Sequence, residues 1–192
     1  LLEIKIEQLK KIKQIDQIVI SSDSPKAEKI ANKYKVSFQK RDKYFASSNC
    51  SGSDFFHHLA MSIKGDYLMY CPCTSPLITD QTYKNFFKKF FILDKKFDSL
   101  NTASILKTFI WKGKKSLNYN SFKAPNSQDL PNNFFELTFG INIISRKNMI
   151  KFRNIVGRKP EFMILDKLES TDIDEKIDFK TAQMLYKKTF KK

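Results

Sequence analysis

The sequence predicts an α/β domain with a mostly parallel sheet, on three observations. Short apolar runs such as "QIVI", "DYLMY" and "GINII" alternate with segments whose apolar residues recur at helical spacing. Those runs are apolar enough to be covered on both faces, as the strands of parallel sheets are. Polar turns, "SSDS" at 21–24 and "CTSPL" at 73–77, follow two of them, at the carboxyl ends where α/β sheets take their ligands. The 192 residues suit one domain, and 41% hydrophobic with 14% aromatic content excludes a disordered polyelectrolyte.

Each element has its own warrant. Leu2, Ile6, Leu9 and Ile12 follow helical spacing and predict an amphipathic opening helix. The run ending at Ser21-Ser22-Asp23 is a strand, and Ser24-Pro25 is a cap and first-turn pair that starts a helix reaching Tyr34. "VSF" is a short strand, "RDKYFASSNCSGS" a polar loop, and "SDFFHHLAMSI" a helix. "DYLMYCP" is a strand stopped by "CTSPL", with a helix from Asp80 to Leu93 after it. "SLNTASIL" is a strand, "KTFIW" and "KSLNY" flank "KGK" as a hairpin, and "SFKAPNSQDLPNN" is a loop. "LTFGINII" and "EFMILD" are strands, and "DFKTAQMLYKK" closes the chain as a helix.

Composition narrows the function. The formal charge is +15, but of the 35 basic residues only Arg41, Arg146, Arg153 and Arg158 are arginines. Base-edge and phosphate readers favour arginine's planar fork, and these lysines are scattered, so the expectation is no nucleic-acid partner. Cys50, Cys71 and Cys73 are too few and too closely spaced for a disulfide framework or a closed zinc site, and are expected to be buried thiols. No apolar run approaches the roughly 18–20 residues that cross a bilayer, and no signal segment opens the chain. A soluble cytoplasmic protein with no membrane partner is expected.

One stretch runs against the basic background. "ESTDIDEKIDF" gathers Glu169, Asp172, Asp174, Glu175 and Asp178 around a single lysine, Lys176. Like charges at such density are tolerated beside a cation, at a helix end or in open water. Asp178 is expected to cap the closing helix, with Glu169 and Glu175 facing solvent.

Several segments together resemble the acylneuraminate cytidylyltransferases, which make CMP-activated sialic acids. "IVISSDS" resembles the family's strand ending in Ser-Thr-Asp-Ser, and "ANKYKVSFQKRDKYFASS" its Ala-x-x-Tyr-Gly and Arg-Pro segment, with Arg41 on the family's arginine. "CTSPL" resembles Pro-Thr-Ser-Pro-Leu, "NSQDLPNNFFELTFGINII" the Gln-x-Leu-Pro loop and its strand, and "STDIDEKIDF" the Asp-Ile-Asp signature. The matches run in order from Leu1 to about Lys187.

The resemblance implies a Rossmann-like nucleotidyltransferase fold and a homodimer, with a small dimerisation arm at about 104–135. It implies transfer of CMP from CTP to the anomeric hydroxyl of an acidic nine-carbon keto sugar. Asp172 and Asp174 fall on the family's Mg²⁺ ligands, which carry the catalysis. Arg41, Cys50, Ser51 and Ser53 fall on nucleotide-binding positions, and Thr74, Ser75, Lys107 and Gln128 on sugar-binding ones. Several have a plainer alternative: solvated acids before a helix for Asp172 and Asp174, an ion pair with Asp42 or another acid for Arg41, helix capping for Thr74 and Ser75, a solvated cation for Lys107. His57 and His58 match nothing and are expected to be ordinary helix residues.

Three departures qualify the resemblance. The family's opening strand and its Gly-Ser-Lys phosphate loop have no counterpart here, so the chain reads as one N-terminally truncated domain, 1–192. Without that strand the sheet would keep two unpaired edges. Pro72 and Ile78 stand where the family often has Gln and Arg, and Asn126 replaces a basic residue. The alternative to an active enzyme is a non-catalytic relative that binds nucleotide or sugar.

Overall fold

The computed structural model describes residues 1–190. The chain opens on α1 (Leu2–Lys10), then β1 (Val19–Ser22), α2 (Pro25–Tyr34) and β2 (Ser37–Lys40). A single 3₁₀ turn at Tyr44–Ala46 leads to α3 (Gly52–Ser62), β3 (Tyr67–Tyr70), α4 (Asp80–Phe91) and β4 (Ser99–Ile105). A hairpin of β5 (Trp111–Lys112) and β6 (Lys115–Ser116) precedes β7 (Phe135–Ser145), α5 (Arg146–Phe152), β8 (Pro160–Ile164) and α6 (Lys176–Phe190). The sequence reading missed α5, a short helix that Ser145 caps by accepting from Asn148 N–H.

β1 and β2 form a parallel pair of their own, with Val19 opposite Ser37 and Ser22 opposite Lys40. The larger sheet has the order β3-β7-β4-β8. β4 and β8 are parallel, and β7 is antiparallel to both β3 and β4, so three of these four strands share one direction. Among the described residues β1 pairs only with β2, and β3 only with β7. The α/β class and the parallel strands are as the sequence predicts; the division into two sheets is visible only in three dimensions.

Strand alternation sorts β7 between two cores. Ile141 and Ile143 face Leu100, Ile78 and the α4 aromatics Tyr83, Phe86 and Phe87, where Leu9 of α1 and Ile12 just after it join them. Ile144 faces the other way, onto Leu59 and Ala60 of α3, Met149 of α5, and Ile155. Ile6, on a different side of α1, joins Ile20, Ala27 and Ala31 over the β1–β2 pair. α1 is thus the element common to both sheets. No helix among the described residues is long and apolar enough to cross a membrane.

One glycine is required by close approach. A Cβ on Gly157 would fall 1.8 Å from Asp98 Oδ1 and 2.5 Å from its Cγ. That carboxylate cannot step aside, because it accepts the N–H groups of Arg158 and Lys159, both at 3.0 Å. Gly157→Ala is therefore expected to destabilise the protein by about 1–3 kcal/mol, read as a lowered denaturant midpoint at unchanged slope.

Candidate active site

The first part of the site forms where β1 and β2 end. Arg41 follows Lys40, the last residue of β2, and its backbone N–H donates to Ser22 O at 3.0 Å. Its guanidinium donates to both the carbonyl and the hydroxyl of Ser21 and lies 4.8 Å from the ring centroid of Phe55 on α3. Half-buried and stacked, Arg41 is held in one pose with donors to spare. Among the described residues it forms no ion pair, so the pairing with Asp42 does not occur. Tyr70, at the end of β3, packs against Phe55 and Phe56 with ring centroids 6.1 and 5.5 Å away. Burial pushes its phenol up, opposed by the nearby Arg41 and reinforced by Cys73 and Asp172. The charges of Arg41 and of Asp172 in the acidic loop thus both reach Tyr70.

The second part is the turn at 74–79, clamped between α1 and the loop at 166–174. From the loop, Ile173 N–H donates to Thr74 O at 3.0 Å, and Asp172 Oδ1 stands 3.5 Å from Ser75 Oγ, the outer limit of a hydrogen bond. Glu169 accepts from Thr79 N–H at 2.8 Å and from Thr82 Oγ1 at 2.7 Å, at the first turn of α4. The sequence reading put Glu169 in solvent, and the structure corrects this: it is 8% exposed. A carboxylate at a helix N-terminus satisfies free N–H groups and the positive dipole end, which is why burial is tolerated. Thr74 and Ser75 do not cap α4; Thr79 does, accepting from Thr82 N–H at 3.2 Å. Asp178 lies in the first turn of α6 and its carboxylate reaches back to accept from Glu175 N–H at 2.8 Å, one half of a capping box, while Glu175 is exposed.

The remaining expected residues divide. Ser51 is the N-cap of α3, accepting from Asp54 N–H at 3.1 Å, and Cys50 is half-buried beside it, its thiol 3.4 Å from Ser51 O. Ser53 is exposed in the first turn of the same helix. Lys107 donates its ammonium to the carbonyls of Gln128 and Leu130, so these two distant residues meet, but through the Gln128 backbone. Among the described residues no hydrogen bond links this pair to Arg41, Ser75 or Asp172. His57 and His58 sit on α3, where His58 stacks on Phe45 at 3.8 Å and bonds Gln39 at 3.1 Å. All three cysteines are free, and each residue is only partly buried where the sequence predicts buried thiols.

The acidic loop suits a shared Mg²⁺ better than a closed metal cage. Asp172 is half-buried and Asp174 exposed, both on non-regular chain, and no group of three metal-ligating side chains forms among the described residues. Mg²⁺ commonly takes one or two carboxylates and completes its shell with substrate phosphates and water. Asp172 and Asp174 would supply no more carboxylates than that.

Lys5 and Gln8, which the sequence reading passed over, close the turn from the α1 side. Lys5 Nζ donates to Ser75 O and Tyr83 Oη, both at 2.8 Å. Gln8 Nε2 donates to the carbonyls of Pro76 and Ile78, both at 2.9 Å. The signal was present: polar residues at 5 and 8 sit one helical turn apart beside the apolar stripe of α1. Burial pushes the Lys5 ammonium down from 10.5 to about 8, with the Cys71 and Cys73 thiols opposing. Between those two values the unfolded chain keeps a proton that the folded chain has lost, so this group makes stability rise with pH there. Burial pushes the Cys71 thiol up from 9.0 to about 11, which acts in the opposite sense above pH 9. The difference in thermal midpoint between the native protein and Lys5→Met, followed across this range, is expected to shift in favour of the native protein as pH rises. A flat difference would contradict it.

The chain matches the family described as Cytidylyltransferase over residues 1–190. No curated protein matches it in sequence. Among solved structures it is similar to 4-diphosphocytidyl-2C-methyl-D-erythritol synthase from Anaerococcus prevotii, with 12% identity and a TM-score of 0.66 over 95% of this chain and 84% of that one. It is also similar to CMP:2-keto-3-deoxy-manno-octonic acid synthetase complexed with CTP, with 8% identity and a TM-score of 0.65 over 97% and 87%. A cytidylyltransferase from Leptospira borgpetersenii gives 14% identity and a TM-score of 0.60 over 98% and 76%. At these identities the likeness is one of fold, and the family assignment rests on the match along the sequence. The chain belongs to the cytidylyltransferase family.

Proposed function

We propose that this chain transfers CMP from CTP to the anomeric hydroxyl of an acidic, acylneuraminate-like keto sugar, working as a cytoplasmic homodimer. The observation that carries the reading is the convergence of separated motifs: Asp172 Oδ1 of the acidic loop stands 3.5 Å from Ser75 Oγ of the turn at 74–79, and the charges of Asp172 and Arg41 both act on Tyr70. In the reaction the sugar oxygen attacks the α-phosphorus, the bond to the β-phosphate oxygen breaks, pyrophosphate leaves, and the hydroxyl proton passes to solvent. Arg41, stacked and hydrogen-bonded in place, orients the nucleotide, with Cys50, Ser51 and Ser53 offering contacts along the loop before α3. Thr74 and Ser75 face the sugar, and Lys107 with Gln128 approach it from the arm. Asp172 and Asp174 would hold a Mg²⁺, which offsets charge on the α-phosphate and the leaving group.

An acidic acceptor is consistent with the cationic background, but Pro72, Ile78 and Asn126 depart from the sialic acid pattern, so the acceptor class is broader than sialic acid itself. A second reading is a relative that binds nucleotide or sugar without transfer. Incubation with CTP, Mg²⁺ and a panel of acidic keto sugars separates them. CMP-sugar and pyrophosphate in equal amounts support transfer; saturable CTP or sugar binding without product supports the second reading. Neither binding nor product would reject both.

A further inference from the structure

We propose that Lys5 is a positioning residue for the acidic loop: from α1 it fixes the turn at 74–79, and through that turn it fixes Asp172. The inference rests on the reading of Asp172 as a metal ligand.

The first observation is that Lys5 is in the wrong place for a stabilising residue. It is 3% exposed, and no carboxylate accepts its ammonium; its partners are one carbonyl and one phenol. A buried cation without a counter-charge is costly, and an apolar side chain of similar length would pack there without that cost. What Lys5 gains is a fixed point for Ser75 O. Burial lowers its proton affinity, as the energetic penalty requires.

The second observation is the economy of the turn. Lys5 and Gln8 together occupy the carbonyls of Ser75, Pro76 and Ile78, all from one face of α1. The polar groups on the loop side are likewise engaged: Thr74 O by Ile173 N–H, Thr79 N–H by Glu169, and Ser75 Oγ opposite Asp172 Oδ1. The turn is the layer between α1 and the acidic loop, so a shift of Ser75 on one side is transmitted to Asp172 on the other. Partners one step removed from a metal ligand commonly set its affinity through such contacts.

The test is Mn²⁺ binding to the full chain, followed by water-proton relaxation, for the native protein, Lys5→Met, Lys5→Gln, Ile6→Ala and Asp172→Asn. Ile6 sits on the same helix but packs over the β1–β2 pair, so Ile6→Ala controls for loss of stability. All variants are compared at a temperature where circular dichroism shows each folded. Lys5→Met is expected to weaken Mn²⁺ binding about 10-fold, Lys5→Gln to recover most of it by keeping a donor, and Ile6→Ala to leave it unchanged. Native Mn²⁺ affinity in Lys5→Met, with binding lost in Asp172→Asn, would overturn the positioning role alone. Equal weakening in Ile6→Ala and Lys5→Met would overturn it as well. Native affinity in Asp172→Asn would remove the metal reading and this inference with it.

Discussion

Asp172→Asn is expected to lower Mg²⁺-dependent CMP transfer by more than about 100-fold while leaving the fold intact. Asn keeps an Oδ1 of the same shape, so the contacts with Ser75 Oγ at 3.5 Å and Ile173 N–H at 3.0 Å survive the exchange. What is lost is the negative charge, which a hard divalent cation requires and an amide oxygen replaces poorly. Because Asp172 is only half-buried and makes no ion pair, the stability cost is expected within about 0.5 kcal/mol. Pyrophosphate release measured across a Mg²⁺ titration separates the outcomes. A ligand role moves the Mg²⁺ dependence to higher concentration, whereas unchanged turnover at every concentration would exclude Asp172 from the metal site. Asp174→Asn is expected to act in the same direction, with even less effect on stability because it is fully at the surface.

Glu169→Ala carries the largest expected effect on stability, about 2–4 kcal/mol. Its carboxylate joins the acidic loop to α4 by accepting from Thr79 N–H and from Thr82 Oγ1. Alanine leaves a buried Thr82 Oγ1 and a half-buried Thr79 N–H without that acceptor, and removes a negative charge from the positive end of a helix dipole. Because α4 carries Tyr83, Phe86 and Phe87 into the main core, loosening its first turn loosens the packing of the sheet. Glu169→Gln keeps one acceptor oxygen and is expected to lose about half as much. Urea midpoints for the two variants test the ordering; equal losses would mean that the charge, not the shape, of the side chain holds the contact. The effect also reaches the site, because Glu169 anchors the loop from which Asp172 projects.

The acidic stretch shows how far sequence reading reached. Its anomaly in a basic chain was legible as composition, and Asp172 with Asp174 was legible as a motif. Glu169 was not, because only tertiary packing brings α4 onto the loop, across ninety residues from Thr79. Asp178 was close to legible, since capping is a local contact with a local pattern. Arg41 was legible as a residue of interest, but its neighbours Ser21 and Phe55 lie in other elements and decide its pose. Lys5 was hidden for a different reason: lysine on a surface helix normally reads as solvated, and only the approach of the turn at 74–79 buries it.

The sequence by itself determined the α/β class, nearly every helix and strand, and the family, because these depend on periodicity, capping pairs and short motifs that act over a few residues. It also determined which carboxylates and which arginine to watch. Tertiary structure alone decided that the β1–β2 pair stands apart from the four-stranded sheet with α1 packed against both, that Glu169 is buried, and that Lys5 and Gln8 hold the turn beside Asp172. Those outcomes follow from contacts between residues distant in the chain, where burial and hydrogen-bond satisfaction are properties of the assembled core and not of any segment.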